Sequence, residues 1–323
     1  MPFNTSLTRL LSIEHPVILA PMGFVSGGAL AGAVSAAGGF GIIGGGYAYP
    51  DWLEREFGVA GNHPVGCGFI TWALAERPAT LDLALSYHPA AILLSFGNAA
   101  PFLPNIKKAG ALAICQVQNL AQARTVLMEG ADIIVTQGTE AGGHGGGRST
   151  LPLGPAVVDM VANSGRSVPV VAAGGITDGR GLAAALMLGA DGVLMGTRFY
   201  VASEALASPG AKNRVVAASG DDTLRTTVFD LARGYQWPRE YTGRAVRNRF
   251  ADAWHGHEDA LTANDAERAR YAEAAARGDA DIAVVFAGEG IDLIHAIEPA
   301  ATILAHVIQE AEAAIAQTAS IHR

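Results

Sequence analysis

The chain has 323 residues, 50% of them hydrophobic and only 16% charged, which is enough apolar material for one large core and too little polarity for a disordered protein. A formal net charge of −8 excludes nucleic acid and an anionic membrane surface as expected partners. The two cysteines, Cys67 and Cys115, sit inside apolar runs, so they read as inert buried thiols in a reducing cytoplasm rather than a disulfide framework. Met1-Pro2-Phe3-Asn4-Thr5-Ser6 carries no basic segment ahead of an apolar one, and glycines or polar residues interrupt every apolar run of membrane-spanning length.

In chain order, short apolar runs predict strands at His15–Ala20, Gly41–Ile43, Val65–Ile70, Ala91–Phe96, Ala111–Val117, Asp132–Thr136, Val168–Ala172 and Gly192–Met195. Helical stretches lie between them, among them Gly28–Ala37, Leu120–Glu129, Gly154–Asn163 and Gly179–Leu188. In Gly130-Ala131-Asp132 and Gly189-Ala190-Asp191 the glycine is placed to end a helix just before a strand. Strand–helix alternation requires parallel pairing, and eight such units predict an α/β fold of the (β/α)8 TIM-barrel type. An open doubly wound sheet is the rival; it is disfavoured because glycine-bearing strand ends recur along the chain rather than at one switch point.

After Phe199 the pattern changes. Residues 203–290 are richer in charge and aromatics, including Tyr235, Trp237, Tyr241, Phe250, Trp254 and Tyr271, with helices expected over Arg244–Trp254 and Asn264–Arg277. The expected organisation is a barrel from 1–202 and 291–323 with a small, mostly helical insertion at 203–290 lying over its mouth. Ile303, Leu304, Val307, Ile308, Ala311 and Ile315, at helical spacing, predict a closing helix over Glu298–Gln317.

The chemistry gathers at the strand ends. Gly174-Gly175 follows the seventh predicted strand and Gly196-Thr197 the eighth, where barrels commonly bind phosphate through backbone N–H groups. The first strand ends in Pro21-Met22-Gly23, small enough for backbone to meet a flat ring. Thr71, Ser95, Asn98, Gln116, Gln118 and Gln137 add uncharged donors and acceptors suited to a heterocycle, or serve as ordinary turn residues. Gly142, Gly143, Gly145, Gly146 and Gly147 surround His144 and offer it no side-chain packing, which favours a catalytic imidazole over a structural one. Glu140 would orient that imidazole or simply cap the next helix. His255 and His257 read as solvated surface, and no set of residues has metal-ligand spacing.

Gly138-x-Glu140-Ala141-Gly142-Gly143-His144, Ala172-Ala173-Gly174-Gly175-Ile176-x-Asp178-Gly179-Arg180 and Leu188-Gly189-Ala190-Asp191-Gly192-Val193-x-Met195-Gly196-Thr197-Arg198-Phe199, with Pro16–Met22 at the start, resemble the nitronate monooxygenase family. The resemblance covers residues 15 to about 200. It implies non-covalent FMN, with Pro21 and Met22 against the ring system and Gly174, Gly175, Gly196 and Thr197 at the phosphate. Gln116 and Gln137 would be polar flavin contacts, and Gly23, Thr71 and Gly142 further parts of the cofactor site. His144 would act beside the flavin, as a base toward a neutral nitroalkane or a hydrogen-bond partner for an anionic nitronate. The implied partners are that small molecule and O2, with a homodimer as a candidate assembly. Gly68 stands where some members carry Asn, and Gln116 where some carry Lys, which changes the charge near the ring. The same motifs resemble FMN-dependent enoyl-thioester and NAD(P)H:quinone reductases, which keeps a reductase as the alternative, with a non-catalytic flavin-binding barrel behind it. An inosinate-type dehydrogenase is disfavoured because neither cysteine follows the sixth strand.

Overall fold

The computed structural model describes residues 3–318. Eight parallel strands form the barrel: β1 (Val17–Leu19), β2 (Gly41–Gly46), β3 (Val65–Ile70), β4 (Ala91–Ser95), β5 (Leu112–Val117), β6 (Ile133–Gln137), β8 (Val170–Ala173) and β9 (Gly192–Met195). A short strand, β7 (Gly143–Gly145), interrupts the series without joining it. The spatial order is β1-β9-β8-β6-β5-β4-β3-β2, and a parallel bridge between Ile18 and Phe40 brings the two ends together. All eight expected strands are present, and the fold is a TIM barrel.

Alternation along the strands builds two apolar layers. Ile18, Ile42, Leu93, Ile114, Val135 and Val171 fill the interior, with Leu7 of the N-terminal helix Ser6–Leu11 packed against them. Their neighbours Ile43, Ile92, Cys115, Ile134 and Ala172 face the surrounding helices. Cys67 and Cys115 are buried free thiols, and burial pushes Cys115 up to about 12. The helix Ala300–Thr318 closes the barrel, burying Ile303, Leu304, Val307 and Ala311. Residues 1–2 and 319–323 of the two expected barrel spans lie outside the described residues.

The 203–290 segment carries helices at Val228–Arg233, Arg249–Trp254, Glu258–Thr262 and Asp265–Ala276 around Phe229, Phe250, Leu261 and Tyr271, and a helix Pro209–Ala217 that packs separately through Ala211 and Val215. It also carries two strands, β10 (Thr223–Thr226) and β11 (Thr242–Val246). Residues 244–246 are therefore extended, not the start of the expected helix. Pairing with β10 overrides the helical preference of Arg and Ala, and the helix starts only at Arg249, where the Asn248 side chain caps Ala251 N–H at 3.0 Å. On its other edge β11 pairs antiparallel with β7, with Gly243 opposite His144. No helix among the described residues is long and apolar enough to cross a membrane.

Candidate active site

A cavity of about 210 Å³ lies at the carboxyl ends of the barrel strands. Pro21, Met22, Gly23, Gln116, Gln137, Gly142, His144, Gly174, Gly175, Gly196 and Thr197 all border it. Thr71 does not. It opens the helix Thr71–Glu76 and is 1% exposed, packed beside Gly97 rather than at the cavity wall. Asn98 caps a turn through Ala100 N–H, and Gln118 sits one layer behind the wall.

One end of the cavity is a cradle of backbone. Gly174 and Gly175 have φ of +110° and +70°, a conformation side chains rarely adopt. Among the described residues, the N–H groups of Gly174, Gly175 and Gly196 donate to no protein acceptor. Thr197 Oγ1 accepts from Gly288 N–H at 3.0 Å and Thr177 Oγ1 donates to Gly290 O at 3.1 Å, so the 288–290 segment completes the rim. Nothing in the sequence pattern had marked Gly288 and Gly290. Unpaired N–H groups on a glycine-lined rim after the seventh and eighth barrel strands suit a phosphate.

His144 borders the same cavity and is 8% exposed. Its packing comes from far along the chain. The Trp237 indole lies flat on the imidazole, with centroids 3.4 Å apart and planes 3° apart, and Phe286 and Phe96 meet it edgewise at 5.4 and 6.5 Å. The expectation that this loop could offer no packing considered only its glycines. Opposite, Gly243 carries no side chain because one would press within 2.9 Å of Phe286. Gln137 Nε2 donates to His144 O at 2.9 Å while its Oε1 accepts from Gln118 at 3.0 Å, so this amide chiefly holds the loop. Arg225 donates to Thr139 O and Gly145 O, and Arg244 to Thr139 O, fastening the loop to the 203–290 segment. Glu140 caps the helix Thr150–Ala162 by accepting from Thr150 N–H at 2.9 Å, the second of its two expected roles.

The decisive partner is Asp230, which sequence reasoning missed. Its Oδ2 lies 2.8 Å from His144 Nε2, and its Oδ1 accepts from Arg233 Nη2 at 2.7 Å. Burial lowers the imidazole below its ordinary range; the Asp230 hydrogen bond and charge oppose this, and Arg233 and Arg225 add to it. Because Asp230 already shares its charge with Arg233, burial prevails and the imidazole is neutral near pH 7. Nε2 then carries the proton held by Asp230, and Nδ1, which makes no hydrogen bond among the described residues, keeps its lone pair. Five aromatic residues, Phe24, Tyr47, Phe96, Trp237 and Phe286, line the same cavity. Phe24 and Phe96 both hold φ near +60° (61° and 64°), unusual for bulky side chains and concentrated here at the cavity wall.

The chain that builds this barrel, with a glycine cradle and one carboxylate-held histidine at the same mouth, matches a known family model, described as nitronate monooxygenase, over residues 4–60 and 74–310. The chain belongs to the nitronate monooxygenase family. It is therefore an oxidoreductase. Among curated relatives, the nitronate monooxygenase npaC of Metarhizium robertsii is 34% identical over 92% of this chain and 91% of its own. A Mycobacterium tuberculosis protein named (3aS,4S,5R,7aS)-5-hydroxy-7a-methyl-1-oxo-octahydro-1H-indene-4-carboxyl-CoA dehydrogenase is 37% identical over 71% of this chain and 65% of its own length. Among solved structures, FabK from Thermotoga maritima superposes with a TM-score of 0.84 at 30% identity, covering 98% of this chain and 99% of its own. Among the described residues, no group of three or more His, Cys, Asp or Glu side chains could hold a metal ion.

Proposed function

We propose that this member of the nitronate monooxygenase family is an FMN enzyme that oxidises alkyl nitronates with O2 to carbonyl compounds and nitrite. The observation that carries the reading is the placement of His144 in one cavity with the glycine cradle, its Nε2 committed to Asp230 and its Nδ1 uncommitted. Gly174, Gly175, Gly196 and Thr197 would hold the phosphate, and Pro21, Met22, Gln116 and Gly142 would line the ring. FMN, when bound, supplies the electron exchange with substrate and oxygen. The protein's own residues do the rest. A nitronate has already lost its α-proton; neutral His144, its one N–H committed to Asp230, has no proton to remove and none to donate, and the nearby Arg233 guanidinium would favour the negative charge of the nitronate. A neutral nitroalkane must first lose that proton, and Nδ1 is the group to accept it, with Asp230 stabilising the imidazolium that forms. The aromatic wall excludes water and keeps these interactions strong.

A second reading, an FMN-dependent reductase of an enoyl thioester or quinone driven by NAD(P)H, is favoured by the full-length likeness to FabK. The two separate in one experiment. The purified holoenzyme is mixed without oxygen with propyl-2-nitronate or with NADH, and its visible absorbance is followed. Bleaching by nitronate, and nitrite release on admitting air, supports the first reading. Bleaching by NADH alone, with turnover of an enoyl thioester or quinone and no nitrite, rejects it.

A further inference from the structure

The reading above gives the aromatic residues of the 203–290 segment no role beyond excluding water, yet one of them touches the proposed base. Trp237 sits in the strap between the helix Val228–Arg233 and β11, borders the cavity and covers one face of the imidazole. It is fixed from the barrel side as well. Its Nε1–H donates to Tyr47 Oη at 3.0 Å, and its ring meets Phe96 and Trp72 edge-on at 5.2 and 5.5 Å. The strap itself is pinned to the barrel by Tyr235 stacked on Tyr47 at 4.0 Å and by Tyr241 Oη accepting from Gln122 Nε2 at 3.0 Å. A ring held from two sides in this way is a fixed wall. It occupies the space beside His144 into which the tail of a bound substrate would otherwise extend.

We propose that Trp237 is the specificity-determining residue of this enzyme, restricting it to nitronates with short alkyl chains by filling the space alongside the imidazole. The proposal rests on the nitronate reading above. Replacing the indole by a methyl group joins its volume to the cavity, next to the apolar edges of Phe96 and Tyr47. Each methylene buried there gains about fourfold in binding. The change falls mainly on KM, because the tail takes no part in the chemistry.

The test compares holoenzyme of wild type, Trp237→Ala and Trp237→Phe on straight-chain nitronates from ethyl to hexyl, each checked for bound-cofactor absorbance. Wild-type kcat/KM should fall with chain length. In Trp237→Ala the hexyl-to-ethyl ratio should rise on the order of a hundredfold, chiefly through KM, with Trp237→Phe in between. A ratio within threefold of wild type in both variants overturns the proposal; should Trp237→Ala fail to fold, Trp237→Phe alone must show the partial shift. If wild type releases no nitrite from any nitronate, it is the functional reading that fails. The same variants are then run with NADH and enoyl thioesters of increasing length, where an unchanged length preference overturns the role of Trp237 and a shifted one upholds it.

Discussion

Asp230→Asn is the sharpest probe of the proposed base. The aspartate is on the helix Val228–Arg233, is almost fully buried, and divides its two oxygens between His144 and Arg233. Arginine only donates, so in the variant Arg233 claims the single amide oxygen. The amide NH2 is left facing His144 Nε2, which can accept it only by giving up its own proton. The proton moves to Nδ1, the nitrogen that should have been free, and the base is disabled with its geometry intact. General-base assistance is worth about 10²–10⁴ in rate, so kcat/KM for nitroethane should fall by roughly that factor. For preformed ethyl nitronate, which needs no proton removed, the loss should stay below about tenfold. The variant also leaves the Arg233 guanidinium without its counter-charge. Complete loss of a buried ion-pair partner costs about 3–5 kcal/mol, and the retained amide oxygen should hold the cost below that. The assay is initial nitrite release from the two substrates at pH 8 with holoenzyme of matched cofactor content. Equal losses on both substrates, or a nitroethane rate within threefold of wild type, would refute the argument that Asp230 sets the tautomer.

Three further outcomes follow from the geometry. Because the folded imidazole of His144 titrates below its ordinary value, the unfolded chain binds this proton first; its contribution to stability is full above about pH 6.5 and is lost as pH falls toward the folded pKa. Thermal melts of the apoprotein from pH 8 to 5 should therefore fall more steeply for wild type than for His144→Gln, by at most about 1.4 kcal/mol per pH unit; parallel curves would contradict the assignment. Gly175→Ala forces a side chain onto φ of +70° with its Cβ 3.1 Å from Glu140 Cβ. It should cost about 1–2 kcal/mol and weaken cofactor retention in equilibrium dialysis; unaltered retention would speak against the cradle. Glu140→Ala removes the acceptor at the start of the helix Thr150–Ala162 and should cost about 1 kcal/mol in urea denaturation, while the nitronate-to-nitroalkane activity ratio stays unchanged.

The barrel was legible because each of its strands is a local apolar run closed by glycine or polar residues, a pattern that period and burial dictate within a few residues. The place of Gly174, Gly175, Gly196 and Thr197 at the cavity was legible for the same reason: strand ends are local events, and their position in the series puts them at the mouth. The partners of His144 were not. Asp230 lies 86 residues further on, in a helix whose pattern, Val228-Phe229-Asp230-Leu231, reads as an amphipathic turn with one stray acid. A usable signal was present: an acid set among apolar neighbours with arginine three positions later is a pair that can be buried together. Thr71 shows the converse error. Its place directly after β3 suggested the cavity, but the chain turns into a helix at that residue and packs the side chain elsewhere. The extended form of Thr242–Val246 depends on β10 and β7, which no local propensity records.

The three residues of β7 belong to the barrel by covalent connection and to the appendage by hydrogen bonding. The imidazole therefore takes its orientation from a body of chain encoded a hundred residues later. Such a molecule cannot exchange this segment freely with a homologue: a graft of 203–290 would replace at one stroke the clamp on His144, the carboxylate beside it and the wall proposed to limit the substrate. Recombination between relatives should succeed only where the glycine loop and the strand that receives it are inherited together, and chimaeras cut between them should fold yet turn over poorly.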